Sequence, residues 1–480
     1  MKRFWLVLLS LGLVMAFSVS AFAVDVKVSG EYYAAGLYLD KTTLNKDAIM
    51  TKAAVPATLE VAGTPEKSYQ DYRAAKPFQP AQYTYPGPST AFFFQRLRVG
   101  TDFIVSPCLK LVTRFDALER VWGGARSNTG TALAIDSAGT RAENENIAFD
   151  YAYIVYDSPI GQFKVGMMPF GTTGTVFADS NTPKTTIKYG YTTGPATIYV
   201  GYTKITDNSD SAVTTSPNVT DADQDYYAIE GVYAFKDGKA GMKVSHYRYA
   251  DKRPTDGYKK TYFNFTPYAI AKIGPVDVQG EINWAYGSAN KYDNSTPADI
   301  DLNTLSVFLD ATANLGIAYV GGTIAYLSGD DPNTTTKIEG GTNNGGIDWN
   351  PCLILFNADV TGLSWAGTIP GYNASSINGP MTNAWFGQGR VGVKPIPQLD
   401  AMMSVSYAAA DQIPKDFNNR SYGWEVDVTG TYKITNNLSY MLGVGYLFTG
   451  DYFKGKCNQC GADNKVNDDY MLINKLTLNF

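Results

Sequence analysis

The chain has 480 residues with 40 basic and 45 acidic side chains, and its net charge of −5 argues against a nucleic-acid partner. It contains one histidine but 34 Tyr, 23 Phe and 7 Trp. A Ser-His-acid triad would have to use His246, and Ser245 beside it lies on the opposite face of an extended strand. The composition therefore disfavours a hydrolase but excludes few binding functions. The large number of tyrosines is typical of the aromatic girdles of a membrane barrel.

Residues 1–23 have the pattern of a secretory signal peptide. Lys2 and Arg3 precede an apolar run, and Ala21-Phe22-Ala23 is a small-x-small cleavage site. We expect cleavage before Val24, which leaves 38 basic and 45 acidic side chains (40 − 2 = 38) and a net charge of −7. No later apolar run is long enough for a membrane-spanning helix.

Residues 24–480 repeat a strand-turn-strand pattern, and no domain boundary interrupts it. Eight tight turns alternate with long polar loops, of which 41–90 and 328–383 are the longest. Two strands per turn, together with terminal strands at 25–39 and 470–480, give 18 strands. Residues 328–383 leave the number open, because "PCLILFNADV" suits either a loop packed on the barrel or another strand pair, so 16 or 20 strands are alternatives.

Apolar and polar residues alternate within these strands. In "NIAFDYAYIVY", Ile147, Phe149, Tyr151, Tyr153 and Val155 share one face, opposite Asp150. A charged face is costly in a dry core and therefore indicates water on that side. The pattern predicts an all-β fold, a transmembrane antiparallel up-and-down β-barrel that forms a single domain over 24–480.

The chain ends in "KLTLNF", with Leu472, Leu476, Leu478 and Phe480 on one face. Together with the signal peptide and the loop alternation, this end resembles Gram-negative outer-membrane porins, although Asn474 interrupts the stripe. The resemblance implies a non-enzymatic, water-filled channel for small hydrophilic solutes and ions, without cofactors. It also implies a homotrimer in the outer membrane among lipid and lipopolysaccharide. In such porins the barrel assembly machinery recognises the terminal strand, here Leu476, Leu478 and Phe480.

A second similarity to porins lies in "VGMMPFGTTGTVFADSNTP". Pro169-Phe170-Gly171 partly matches the start of the porin loop that folds inward and narrows the pore, so residues 169–184, including Asp179, are a candidate constriction loop. The alternative is an ordinary external loop with turn residues.

If apolar residues face lipid, the strand register assigns the side chains that line the pore. The predicted set is Arg96, Arg98, Lys110, Arg114, Asp116, Asp150, Lys164, Lys188, Glu425 and Asp427. We expect a basic wall with few carboxylates opposite Glu425 and Asp427, producing a transverse field. The alternative is a set of solvated charges in local ion pairs.

Cys457 and Cys460, in the last long loop, are spaced for a small disulfide but not for haem attachment or a zinc site, and no metal site is predicted. Cys108 lies in a tight turn and Cys352 in a long loop at the opposite end, too far apart to pair. A second functional hypothesis is a surface-structural or adhesive barrel that acts through loops 41–90 and 328–383.

Overall fold

The computed structural model describes residues 24–41, 44, 47–51, 82–86, 89–122, 147–171, 174–179, 182–208, 222–343, 349–357, 381–415, 417, 419–454 and 466–480. The predicted signal peptide at 1–23 and the pair Cys457 and Cys460 lie outside the described residues.

Eighteen strands form one closed antiparallel barrel, which confirms the predicted fold and strand number. They are β1 (Asp25–Leu39), β2 (Thr90–Ser106), β3 (Leu109–Val121), β4 (Ala148–Ser158), β5 (Gly161–Phe170), β6 (Thr182–Thr193), β7 (Ala196–Thr206), β8 (Gln224–Phe235), β9 (Gly238–Tyr249), β10 (Tyr258–Ile273), β11 (Val276–Tyr292), β12 (Ile300–Leu315), β13 (Ala318–Leu327), β14 (Ala384–Ile396), β15 (Leu399–Ala410), β16 (Ser421–Lys433), β17 (Leu438–Thr449) and β18 (Asp469–Asn479). Each strand pairs with its neighbours along the chain, and β1 closes the barrel by pairing with both β2 and β18.

A few short elements lie outside the barrel wall. Asp47–Thr51 pairs with Gln82–Pro86, and Lys337–Ile338 adds a short parallel pairing to β12. Arg253–Asp256 is one helical turn, and Asp451–Lys454 is a 3-10 turn. Within the described ranges, no helix has the length and apolar character needed to cross a membrane.

The two ends of the barrel differ in the length of their connections. The eight predicted tight turns all join strands at one end, for example at 159–160 between β4 and β5 and at 274–275 between β10 and β11. Longer connections join the strands at the other end, such as the 56 residues 328–383 between β13 and β14. We call these the short-turn end and the long-loop end.

The outer face of the barrel is apolar. Ile187, Ile229, Leu309, Val391 and Leu442 point outward and are each more than half exposed. Leaving so much aliphatic surface in water would cost about 25 cal/mol for every Å². The outer surface is therefore built for an apolar surrounding.

Strand β4 corrects one detail of the predicted alternation. Arg114 pairs with Tyr151 whereas the next residue, Phe115, pairs with Phe149, so Asp150 is an extra residue in the ladder. This β-bulge reverses the phase beyond it, so Tyr151, Tyr153 and Val155 lie on the inner face, where Tyr151 and Val155 are buried. The expectation that these three share the outer face with Phe149 was wrong for this reason.

Much of the interior at the long-loop end is filled by apolar side chains. The filling comes from the inner faces of β1 and β12–β18 and from residues 349–357, which lie inside the barrel. Ile354, Leu355 and Phe356 are fully buried there against residues such as Phe386 and Tyr422. The described part of "PCLILFNADV", residues 351–357, adds no barrel strand and packs against the wall from inside.

Candidate pore lining

Strands β2, β3 and β4 carry a network of ion pairs on the inner wall. Arg98 donates through Nε and Nη2 to both carboxylate oxygens of Asp116, at 2.7 and 2.6 Å. Arg114 is 2.9 Å from Asp150, which is also 3.7 Å from Arg98. The Arg114 guanidinium lies 3.7 Å from the centroid of the Tyr151 ring, a cation–π contact. The bulge at Asp150 makes this network possible, because it turns both Asp150 and Tyr151 inward.

The other predicted cations of this wall are also paired. Lys110 Nζ lies 2.8 Å from Asp102, and Arg96 lies 3.4 Å from Glu31 on β1. The expected basic wall with few carboxylates was therefore wrong, since each of these four cations has an acidic neighbour. Three of the acidic partners, Asp102, Asp116 and Asp150, lie on β2–β4 like the cations themselves. The prediction assigned side chains to the inner face but did not show which of them meet across neighbouring strands.

Lys164 on β5 and Lys188 on β6 differ from these paired cations. They are register partners on the inner face, and neither has an ion-pair partner among the described residues. Lys188 lies 4.4 Å from the centroid of the Tyr199 ring. Two like charges opposite each other repel, so they favour an anion between or near them.

Residues 174–179, which follow β5, reach across the interior to the opposite wall. The Thr175 backbone N–H and hydroxyl donate to Glu281 Oε2 on β11, at 2.7 and 2.9 Å. Phe177 is fully buried and stacks on Phe308 of β12, with ring centroids 5.0 Å apart. Phe177 also packs edge-on against Trp349, at 5.2 Å. Two independent contacts, one polar and one aromatic, therefore hold this inward segment.

The predicted loop residues occupy two different environments. Pro169 and Phe170 belong to β5, opposite Pro183 and Thr182 of β6, so the connection itself comprises residues 171–181. Phe170 faces inward against the Tyr226 ring, at 4.8 Å. Gly171 follows the strand at a positive φ of 87°, and half-buried Asp179 ends the described inward segment. The contacts of Thr175 and Phe177 had no signal in the sequence.

Glu425 and Asp427 lie on the inner wall of β16, but they do not face open water as expected. Residues 349–357 cover them, and their exposed fractions are 0% and 3%. The Glu425 carboxylate accepts hydrogen bonds from the Ile354 and Leu355 backbone N–H groups, at 2.7 and 2.8 Å. The expectation was wrong because it did not place residues 349–357 inside the barrel.

A glycine on the neighbouring strand permits this close approach. A Cβ at Gly445 of β17 would lie 2.8 Å from Asp427 Oδ1 and 3.0 Å from Leu353 Cβ. The Cys352 thiol, Glu425 and Asp427 offer ligand atoms within 4.8 Å of one another. Both Glu425 oxygens already accept hydrogen bonds from backbone N–H groups. This cluster of side chains therefore serves to hold residues 349–357 against the inner wall.

The terminal strand β18 turns its apolar stripe outward. Leu472, Leu476, Leu478 and Phe480 are all at least 38% exposed. Phe480 exchanges two backbone hydrogen bonds with Gly30, at 2.7 and 3.0 Å. Asn474, which departs from the stripe, lies with its amide 3.4 Å from the Gly36 carbonyl. The polar interruption thus has a backbone partner on β1.

The two described cysteines are free and lie in opposite environments. Cys108 is exposed in the tight turn between β2 and β3, whereas Cys352 is buried in the inward segment. Burial raises the pKa of the Cys352 thiol well above its usual value. Neither is in a disulfide, and Cys352 lies inside the barrel near Glu425 and Asp427, whereas the sequence placed it in a loop at the opposite end from Cys108.

The fold and its two faces define a class of protein: a closed antiparallel barrel with an apolar exterior and a charged, partly filled interior. No family model matches the chain, and no curated protein matches it. Solved structures of outer-membrane porins are similar in architecture. OccK2 (OpdF) of Pseudomonas aeruginosa is 11% identical, with a TM-score of 0.48 over 95% of this chain and 98% of that one.

Two further solved structures have comparable scores. A BenF-like porin of Pseudomonas fluorescens is 12% identical, with a TM-score of 0.47 over 95% of this chain and 99% of that one. An anion-selective porin of Comamonas acidovorans is 10% identical, with a TM-score of 0.42 over 95% and 99%.

Proposed function

We propose that the protein is an outer-membrane porin, a non-enzymatic channel through which small hydrophilic solutes and ions diffuse passively. The observation that carries this proposal is the contrast between the two faces of the closed barrel. The outer face suits hydrocarbon, whereas the inner face carries charged side chains that require water or ionic partners. The secretory pattern of residues 1–23 supports export, with cleavage, to a Gram-negative outer membrane.

The water path runs beside strands β2–β9 and not along the barrel axis. On that side the predicted pore-lining residues Arg96, Arg98, Lys110, Arg114, Asp116, Asp150, Lys164 and Lys188 form the wall. On the other side, residues 349–357 fill the interior and cover Glu425 and Asp427. Residues 174–179 lie between these regions and act as the constriction.

The same geometry favours anions. The carboxylates of Asp102, Asp116 and Asp150 are each within ion-pair distance of a cation, and Glu425 and Asp427 are covered. Lys164 and Lys188 have no such partner among the described residues. The Lys164–Lys188 pair is therefore a local positive region of the path, and in a confined, partly low-dielectric passage it raises the local anion concentration.

Reconstitution in planar bilayers tests the channel itself. We expect stepwise conductance that grows with salt concentration and is ohmic at low voltage. A purified, folded barrel that inserts into the bilayer and never conducts would refute the proposal. It would leave the surface-structural alternative, which depends on loops that lie largely outside the described residues.

Reversal potentials under a salt gradient test the anion preference separately. Changing Lys164 and Lys188 to Gln removes the uncompensated charges, and we expect selectivity to move toward cations. Lys272→Gln is the matched control, because Lys272 is 62% exposed near the short-turn end of β10. An unchanged reversal potential in the double variant would mean that the selective region lies elsewhere.

Assembly completes the proposal. The outward stripe of β18 and its last residue, Phe480, are the features that the barrel assembly machinery would bind, and lipid and lipopolysaccharide would surround the outer face. A homotrimer is proposed on resemblance alone. Crosslinking measures the number of subunits directly, in outer-membrane fragments and, for comparison, in the detergent-solubilised protein.

A further inference from the structure

Five ring side chains form a continuous row on the outer face near the long-loop end. Tyr202, Tyr227, His246, Phe263 and Tyr286 are successive register partners across β7–β11. The Tyr202 and Tyr227 ring centroids are 5.3 Å apart, and those of His246 and Phe263 are 4.7 Å apart. Such a row is typical of the level at which a barrel leaves the hydrocarbon and enters the headgroup region.

Charged side chains lie immediately above this ring row, toward the long-loop end. Lys204, Asp225 and Arg248 are register partners two residues further along their strands. Lys204 lies 3.1 Å and Arg248 3.8 Å from Asp225, which also accepts a hydrogen bond of 2.8 Å from the Tyr202 hydroxyl. The charges are thereby fixed directly over the rings.

One step higher, two lysines face each other. Lys259 of β10 and Lys291 of β11 are direct register partners, and neither forms an ion pair with a carboxylate among the described residues. Like charges directly opposite in an antiparallel pair are destabilising. Their persistence beside Arg248 indicates a site that an anion would neutralise.

Below the ring row, strands β6–β10 form a shallow apolar groove of about 500 Å³ that is open to the outside. Its walls include Ile187, Val200, Tyr227, Ile229, Val244 and Phe263. The groove opens on the outer face, where water is excluded if the barrel spans a membrane. It has the shape and chemistry for an acyl chain.

We propose that strands β6–β11 form a specific binding site for a phosphorylated lipid of the outer leaflet. Its phosphate lies against Lys259 and Lys291, and an acyl chain lies in the groove beneath the ring row. The lysines above the ring row complement the charge of the phosphate, and the apolar groove below it suits the acyl chain. The row of rings joins these two parts of the site. The site rests on the proposed membrane location but not on channel activity.

Native mass spectrometry of the detergent-purified barrel tests this site, with diphosphoryl lipid A and its monophosphoryl form as probes. We expect tighter retention of the diphosphoryl form. Each lysine near a charged lipid surface contributes about fivefold in affinity, so Lys259→Gln with Lys291→Gln should weaken binding roughly 25-fold. The control, Lys272→Gln with Lys394→Gln, removes two charges near the short-turn end and should leave affinity within about twofold.

The groove is tested independently by Ile229→Trp, which fills it with a bulkier side chain and should reduce retention of both lipids. Equal binding by the wild type and the lysine double variant would overturn the proposal, as would displacement of the lipid by an equal concentration of inorganic phosphate. If the double variant does not fold, Lys291→Gln alone should still give about a fivefold loss. Conductance of the same preparations separates failure of this site from failure of the channel.

Discussion

Phe177→Ala tests whether residues 174–179 form the constriction. The Phe177 side chain is fully buried and packs on Phe308 and Trp349. Truncation of a buried Phe to Ala typically costs about 3 to 5 kcal/mol. These contacts anchor a loop and not the barrel wall. The lost free energy therefore destabilises the docked state of the loop, not the fold of the barrel. A loss of about 3 kcal/mol lowers the ratio of docked to undocked loop roughly 150-fold.

Single-channel recording in planar bilayers measures the consequence. We expect Phe177→Ala to give larger or noisier conductance steps than the wild type, while the barrel keeps its resistance to unfolding in detergent. Val176→Ala is the matched control, because Val176 belongs to the same segment but is 41% exposed. If both variants conduct like the wild type, residues 174–179 do not limit the passage, and the constriction must be assigned to another part of the interior.

Three further predictions concern the inward segment at 349–357 and the closure of the barrel. Maleimide should label exposed Cys108 in the folded protein but leave Cys352 unmodified until denaturation, and rapid labelling of both thiols would contradict the buried position of Cys352. Glu425→Ala leaves two buried N–H groups without an acceptor, a cost of about 1 to 3 kcal/mol each, so Cys352 should then react in the native barrel; continued protection would show that apolar packing alone holds the segment. Gly30→Ala places a Cβ 2.6 Å from the Arg98 carbonyl and 2.5 Å from Phe480 Cζ, so the yield of folded barrel should fall, whereas Gly231→Ala, with open space around it, should fold normally; equal yields would refute the steric argument.

The strand architecture could be predicted because its signals are local. Turn residues mark the short connections, and a period of two follows from strand geometry, so the number of strands and the outward face of Leu476 and Leu478 followed from the sequence. The terminal apolar stripe is likewise a property of one strand. None of these features depends on what lies inside the barrel.

The interior could not be predicted for the opposite reason. The bulge at Asp150 inserts one residue and reverses the face of Tyr151, and no local signal marks it. The burial of Glu425 depends on residues 349–357, some 70 positions earlier in the chain. The pairing of Arg98 with Asp116 follows from cross-strand register, which periodicity alone does not fix.

Trp349 touches both Phe177 and Phe386, and so joins the inward segment from β5 to the segment that covers β16. A solute that pushes residues 174–179 aside must therefore disturb the packing of the second segment as well. Close-packed aromatic contacts break together and do not stretch gradually. Widening of the passage should accordingly occur in discrete jumps, so that a current trace alternates between a few fixed levels.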